Sequence, residues 1–453
     1  MGLNSEILIQ LLGIARQEGA KNADALLIKN TNISISQRMG NREGIERSEN
    51  SAIGLRVFVE KGNNEIGQAI VSSTDISKDS MIEFTQRAIA MARLAPADND
   101  STLAPAALYP KSIPKLDLLD KAEPTPEWLM EQCAIAEDAA RGVTGITNSE
   151  GADAGYSRAL VGLAIMENGN IGFCENYEGS SFSISVSVLA GNGTSMERDY
   201  DFTSARHKND LRSAHEIGIG AANRALARIN PHKVNTCRVP VVFDPRVSKS
   251  LLSILTSAIS GSSIARGSSF LKDSIGIDIF PNNISIIDDP HIVRGLASKP
   301  FDMEAVANKK MTLVENGVLK TWLLDMRSAN KLKLKTTGHA SRGLASPPSP
   351  SSTNVYMDNG ILSPKELIAD IKSGLYLTET FGMGINIITG DYSQGAAGFW
   401  IENGEIAYPV SEITIAGHLK EMFKGITPAN DLSFRYSTNA PTVRVENMTV
   451  AGV

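Results

Sequence analysis

Cysteine is scarce in this sequence: among 453 residues there are three, Cys133, Cys174 and Cys237, far apart and odd in number. No two are spaced Cys-x-x-Cys, so neither a disulfide framework nor a thiolate zinc knuckle is expected. The thiols read as free and buried in a reducing compartment. Charge of one sign is lacking too. A net charge of -6 on this length argues against a dedicated nucleic-acid binder, which would carry a basic face. No apolar run approaches the ~20 residues that span a bilayer. The first residues show neither a basic region nor a cleavage pattern, and Glu6 stands where myristoylation needs Ser or Thr. These absences predict a cytoplasmic protein with no direct nucleic-acid partner and no membrane partner. What is there, 42% hydrophobic and 21% charged residues, fits ordinary globular cores, and the length fits two to four domains.

The fold class expected is α+β: an N-terminal α/β half of one or two subdomains, then a strand-rich, mostly antiparallel C-terminal half. Apolar residues at helical spacing over 5–18 predict a first helix, and 79–93 a second, with alternating β-branched stretches between them. Six of the 19 prolines fall between Pro96 and Pro126, marking a linker. The boundaries drawn are 1–95 and 126–232 for two α/β subdomains, 96–125 for the linker and 233–453 for the C-terminal domain. Within the second subdomain a helix is expected at 126–141, strands to 189, and a long helix over 203–228. Glu-Asn-Gly occurs between apolar segments at 167–169, 315–317 and 402–404. Asn-Gly supplies the two positive-φ residues of a tight hairpin turn, so each predicts a hairpin.

After a strand at 237–243, Asp244 and Pro245 offer an N-cap and a first helical position. Val247, Leu251, Ile254, Leu255 and Ala258 form one apolar stripe, Lys249, Ser253 and Ser257 lie opposite, and Gly261 is expected to end the helix. Around this helix stand GSSFLKDSIG (267–276), GLASKPFDMEAV (295–306), ENGVLKTWLLD (315–325), TTGHASRG (336–343) and the long run ITGDYSQGAAGFWIENGEIAYPVSEITIAG (388–417). In these stretches the chain resembles the TldD/PmbA family, and its PmbA (TldE) branch rather than the TldD branch.

The resemblance implies a cytosolic peptidase built from two related subunits that matures ribosomally made peptides and degrades small unfolded proteins. An older family name connects it with modulation of DNA gyrase. The TldD-type subunit carries zinc on a His-Glu-x-x-x-His helix, with a cysteine near its C-terminus as a further ligand. Carried onto this chain, those positions are Ser253, Ile254 and Ala258, and no cysteine follows Cys237. Zinc needs imidazole, thiolate or carboxylate, and hydrolysis needs a carboxylate to take a proton from water. The resemblance therefore implies no cofactor and no catalytic residue in this chain, with zinc on a TldD-type partner. The partners expected are that subunit, a second copy of this chain, and an unfolded peptide. The alternative is a homodimeric peptide-binding or scaffold protein without peptidase activity.

Other residues weigh less. His215-Glu216 begins like a zincin motif, but Ile219 and Gly220 stand where the second histidine would be. His339 lies near the proline-rich loop 342–354, where hydrogen bonding is the plainer role. The run 390–395 misses a nucleophile elbow by one residue. Read as a glycine-rich loop, it makes Gly390, Asp391, Ser393, Gly395 and Gly398 candidates, with His339, for contact with an extended peptide. Sheet edges are candidates as well.

Overall fold

A computed structural model describes residues 3–62 and 65–452, so the first two residues of the N-terminal stretch read for a targeting signal lie outside them. The N-terminal half is an αβββα arrangement written twice. The first copy is α1 (Leu3–Gln17), β1 (Asn22–Arg38), β2 (Asn41–Glu60), β3 (Ile66–Ser73) and α2 (Lys78–Leu94). The second is α3 (Pro126–Arg141), β4 (Ile146–Glu167), β5 (Asn170–Ala190), β6 (Glu197–Ala205) and α4 (Ala214–Ala227). All six strands join one antiparallel sheet in the order β3-β2-β1-β4-β5-β6. The copies meet at β1 and β4, paired from Ala23 opposite Met166 to Gln37 opposite Ala152.

The four inner strands run 17 to 22 residues; β1, β4 and β5 are backed by helices of both copies, whereas β2 packs on α2 alone, through Ile53, Leu55 and Val57. Side chains alternate across a strand. On β1, Ala23, Ala25 and Leu27 pack under α1 and α2, and Ile33 and Ile35, on the same face, pack under α3 and α4. The opposite face meets the C-terminal half, where Leu163, Ile165 and Phe173 close on Phe301 and Ala305. The Phe173 and Phe301 rings meet edge to face at 5.1 Å.

Polar residues cross the same contact. Asp24 of β1 takes Arg56 Nε of β2 at 2.6 Å and is also bonded by Arg342 from the C-terminal half. Glu304 stands 3.9 Å from Arg56 and accepts from the Met326 amide at 2.8 Å. All four residues are buried.

One expected helix is shorter than its sequence pattern. Residues 197–205 form the edge strand β6, and α4 begins at Ala214, fixed by a capping box between Ser213 and Glu216. The strand escapes a hydrophobic-period reading because three of the four residues it buries, Asp199, Asp201 and Thr203, are polar and only Ala205 is apolar.

The C-terminal half opens with β7 (Cys237–Phe243) and α5 (Pro245–Ala258). β7 runs parallel to Ser373–Phe381 and antiparallel to Val443–Ala451. Ser373–Phe381 pairs with Asp391–Glu402, which pairs with Glu405–His418, which in turn pairs back to Val443–Ala451. The sheet therefore closes on itself, with Phe243, Leu375, Ile413, Ile415 and Val445 in the common core. A second sheet of short strands, including Ile286–Asp288 and Val355–Met357, lies nearby, and α5 packs on both sheets.

The three Asn-Gly turns form as expected. Asn168-Gly169, Asn316-Gly317 and Asn403-Gly404 each place both residues at positive φ, between 48° and 84°. The pairs Glu167 with Asn170 and Glu402 with Glu405 close two of the hairpins. A fourth such turn, Met39-Gly40 between β1 and β2, carries no turn signature at its first residue.

Candidate functional site

The strand β7 runs straight into α5. Asp244 caps the helix by accepting from the Arg246 amide at 2.9 Å, and Pro245 occupies the first turn, where no N–H is needed. Ser253 is exposed and its hydroxyl donates to the Lys249 carbonyl, whereas Ile254 and Ala258 are buried in the core. The three positions do not face one another, and none bears a zinc ligand. These residues do not fit the zinc that the resemblance implies at their positions. Gly261 does not end the helix in a left-handed turn. The helix stops at Ile259, and Gly261 begins a second short helix where a Cβ would strike Leu324 and Ser328 within 2.6 Å. It is a close-packing glycine.

At the N-terminal end of α5 a groove opens between the two halves of the molecule. Three adjoining cavities, the largest about 320 Å³, meet along residues 433–436, with β6, α4 and the start of α5 as the other walls. Its cations are held in ranks. Asp201 is gripped by Arg212 and Arg224, each at 2.9 Å. Burial raises the Asp201 carboxyl, but the two guanidiniums outweigh it and hold the group below its ordinary range. Arg246 meets Asp199 at 2.9 Å and lies over the Tyr200 ring at 4.6 Å. Burial opposes its charge and Asp199 prevails, so the guanidinium sits above its ordinary value. Phe202 packs on Tyr436 at 5.5 Å, and Lys249 sits 3.3 Å from the centre of the Tyr436 ring. Burial, then Arg246, push the Lys249 ammonium down.

The edge of β6 beside this groove is closed to an incoming strand. The amides of Tyr200 and Phe202 are taken by the carboxylates of Asp199 and Asp201, and the Tyr200 carbonyl by Arg224. An edge masked by its own side chains has no ladder to offer. On the far edge, the amide and the carbonyl of Ile66 in β3 are both taken by the linker, through Asn99 and Asp98.

The peptide candidates fall elsewhere. Residues 390–398, read as a loop, belong from Asp391 on to the strand Asp391–Glu402, which is paired on both sides. Gly390 has φ +91°, and a Cβ there would lie 2.9 Å from the His418 ring. A Cβ on Gly395 would meet the Phe381 ring at 2.3 Å, and one on Gly398 the Tyr376 carbonyl at 2.1 Å. These glycines let neighbouring strands and rings approach. Asp391 and Ser393 are exposed, with Asp391 bonded to Thr389 at 2.6 Å. His339 is not among them. It is buried, with Nδ1 2.8 Å from Thr337 and Nε2 3.1 Å from Asp288, whose carboxylate also takes the Thr353 amide. Glu216 is spent on its capping box. Among the described residues no three His, Cys, Asp or Glu side chains are grouped as a metal site.

The groove was not foreseen. The available signal was acid at every second residue, Glu197, Asp199 and Asp201, followed by Arg212, Arg224, Arg228 and Arg246. Buried acids on one strand need arginines from the elements that cover it.

Comparison with known proteins gives the lineage. The PmbA/TldA metallopeptidase domain 1 matches residues 23–92, the central domain 114–229 and the C-terminal domain 236–452. Metalloprotease PmbA of Escherichia coli O157:H7 is 38% identical over 432 residues, which is 95% of this chain and 92% of that protein. The Metalloprotease PmbA homolog of Haemophilus influenzae is 34% identical, covering 97% and 94%. Among solved structures, a Bacteroides thetaiotaomicron protein proposed as a modulator of DNA gyrase superposes over the whole of both chains with a TM-score of 0.89 at 26% identity. TldE from Thermococcus kodakarensis shares the fold, with a TM-score of 0.85 at 22% identity over 98% of this chain and all of its own. The chain belongs to the PmbA/TldD metallopeptidase family, on its PmbA branch.

Proposed function

We propose that this chain is the subunit of a two-subunit zinc peptidase that does not itself hold the zinc. Its TldD-type partner would carry the metal and the catalytic groups, and this chain would stabilise that partner and wall a channel that admits extended or unfolded peptide. The observation that carries this reading is α5: at the family's metal positions it presents an exposed serine and two core-packed aliphatic residues, Ile254 and Ala258. Neither a ligand nor a proton acceptor is available there. A peptide would meet the groove between the halves of the molecule rather than the masked strand edges. Three free cysteines suit a cytoplasmic setting. Among the described residues no helix is long and apolar enough to cross a membrane.

The test is zinc content and peptide hydrolysis for the pure chain, then for the chain mixed with a TldD-type subunit. Silence alone, with chelator-sensitive cleavage in the mixture, is the expected result. One zinc per chain and cleavage by the pure protein would overturn the reading.

A further inference from the structure

The acids that line the groove are already engaged. Asp201 is held by two arginines and Asp210 by Arg294. Asp244 caps α5 and takes the Tyr376 hydroxyl, and Asp431 takes both the amide and the hydroxyl of Thr442. Arg435 differs. It is exposed on the groove wall, its Nε reaches only the Ser433 hydroxyl at 3.3 Å, and among the described residues no carboxylate lies within ion-pair distance of it. Yet its backbone is fixed. The amides of Arg435 and Tyr436 both donate to Asn439 Oδ1 at 2.9 Å, and Asn439 Nδ2 returns a bond to the Tyr436 carbonyl at 2.8 Å. Asn439 is itself buried. The loop therefore holds the backbone of Arg435 at a set place, beside the exposed ring of Phe434 and in cavities that Arg224 and Arg246 also line.

An unpaired guanidinium on a rigid mount, in a concave site with aromatic walls, is suited to a planar carboxylate joined to an apolar group. We propose that this groove binds a carboxylate of the extended peptide, with Arg435 as its forked donor and Phe434 against the adjoining side chain. This inference rests on the reading that the chain meets peptide, and it names the chemical group recognised. Two sources share that chemistry, the α-carboxylate of a free C-terminus and the side chain of Asp or Glu. Arg224 and Arg246 add positive potential but keep their own carboxylates, so Arg435 should carry most of the discrimination. Recognition through one exposed cation also weakens with salt, since an open groove is screened.

The experiment is calorimetric titration of the full chain, alone and mixed with a TldD-type subunit, with three N-acetylated ten-residue Ala/Ser peptides ending in leucine. One has a free C-terminus, one is amidated, and one is amidated with a single internal glutamate. The expected result is that the free-acid or the glutamate peptide binds about tenfold tighter than the neutral one, the scale of a charge-assisted hydrogen bond. Which of the two gains identifies the source of the carboxylate. Arg435→Gln should erase that tenfold difference and Arg435→Lys should restore part of it. Because the side chain is exposed and its one hydrogen bond among the described residues is to Ser433, neither variant should change the unfolding midpoint. Equal binding of all three peptides, or a preference that survives Arg435→Gln, would overturn the inference and leave the two-subunit reading standing. No binding by the chain alone or in the mixture would overturn it together with the claim that this chain meets peptide, whereas zinc and cleavage in the pure chain would strike only the two-subunit reading.

Discussion

Replacing Asp24 with asparagine removes the carboxylate that two buried guanidiniums share. Asp24 is 1% exposed, Arg56 2% and Arg342 8%. Arg342 already has two donors, Nε and Nη2, with no acceptor among the described residues. The other acid nearby, Glu304, is no substitute. Burial pushes its carboxyl up to about 8, against the pull of Arg56 and with Asp302 adding to the rise, so it is a weaker anion than Asp24. In Asp24→Asn the two arginines would therefore lose the anion they share, with only Glu304, 3.9 Å from Arg56, left nearby. At an effective dielectric near 20, an ion pair at contact is worth about 4 kcal/mol, and Asp24 makes two such pairs. Relief of the desolvation of Asp24 returns part of that sum. The net loss should be about 3–5 kcal/mol, the usual cost of stranding a buried charge. Urea unfolding followed by tryptophan fluorescence reads both halves, since Trp128 lies in the N-terminal half and Trp322 and Trp400 in the C-terminal half. A second change, Arg342→Met, should recover a good part of the loss by removing the stranded charge. A cost below about 1 kcal/mol, or a double variant no better than the single, would refute the claim that this cluster binds the halves together.

Three further outcomes follow from other parts of the molecule. Gly398→Ala should cost about 1–3 kcal/mol and lower the melting temperature, because the new Cβ meets the Tyr376 carbonyl in a strand held from both sides; an unchanged melt would show that the strands can part. Glu304→Gln should flatten the pH dependence of stability. The folded chain keeps this proton up to about 8 while the unfolded glutamate loses it near 4.5, so the contribution is full at low pH and disappears as pH rises through 8; parallel pH profiles for the two proteins would contradict this. Grafting Ser253→His, Ile254→Glu and Ala258→His together should leave zinc, measured by elemental analysis, far below one per chain. The graft should also destabilise the fold by several kcal/mol, because position 254 is only 6% exposed and would bury a carboxylate; stoichiometric zinc would show that α5 can turn its face to a metal.

Local patterns carried much of the fold. The helices at 126–141 and 245–258 are legible because each has its cap, its proline and its apolar stripe in sequence. The Asn-Gly turns are legible because the required φ angles name the residues. What escaped was set by distant partners. β6 buries aspartates, which is sensible only once arginines from α4 and α5 are present to meet them. The glycines of 390–398 looked like a loop because a glycine needed for close strand packing and a glycine needed for a turn are the same letter. The placement of Ser253, Ile254 and Ala258 was legible from helical periodicity alone. The groove near the start of that helix was not, because residues 433–436 meet walls that come from 201–246, far away in the chain.

The seam between β1 and β4 has a consequence for how the chain reaches its native state. Ala23 finds its partner in Met166, so the centre of the sheet cannot be completed until β4 of the second repeat has left the ribosome. Until then one flank of β1 is a long row of unpaired amides and carbonyls, the kind of template that pairs with a neighbouring nascent chain. Closing so large a loop is slow. The first repeat should therefore assemble early under α1 and α2 as a three-stranded intermediate, and the zippering of β4 onto it should be the late step and the one at which chains on a crowded polysome go astray.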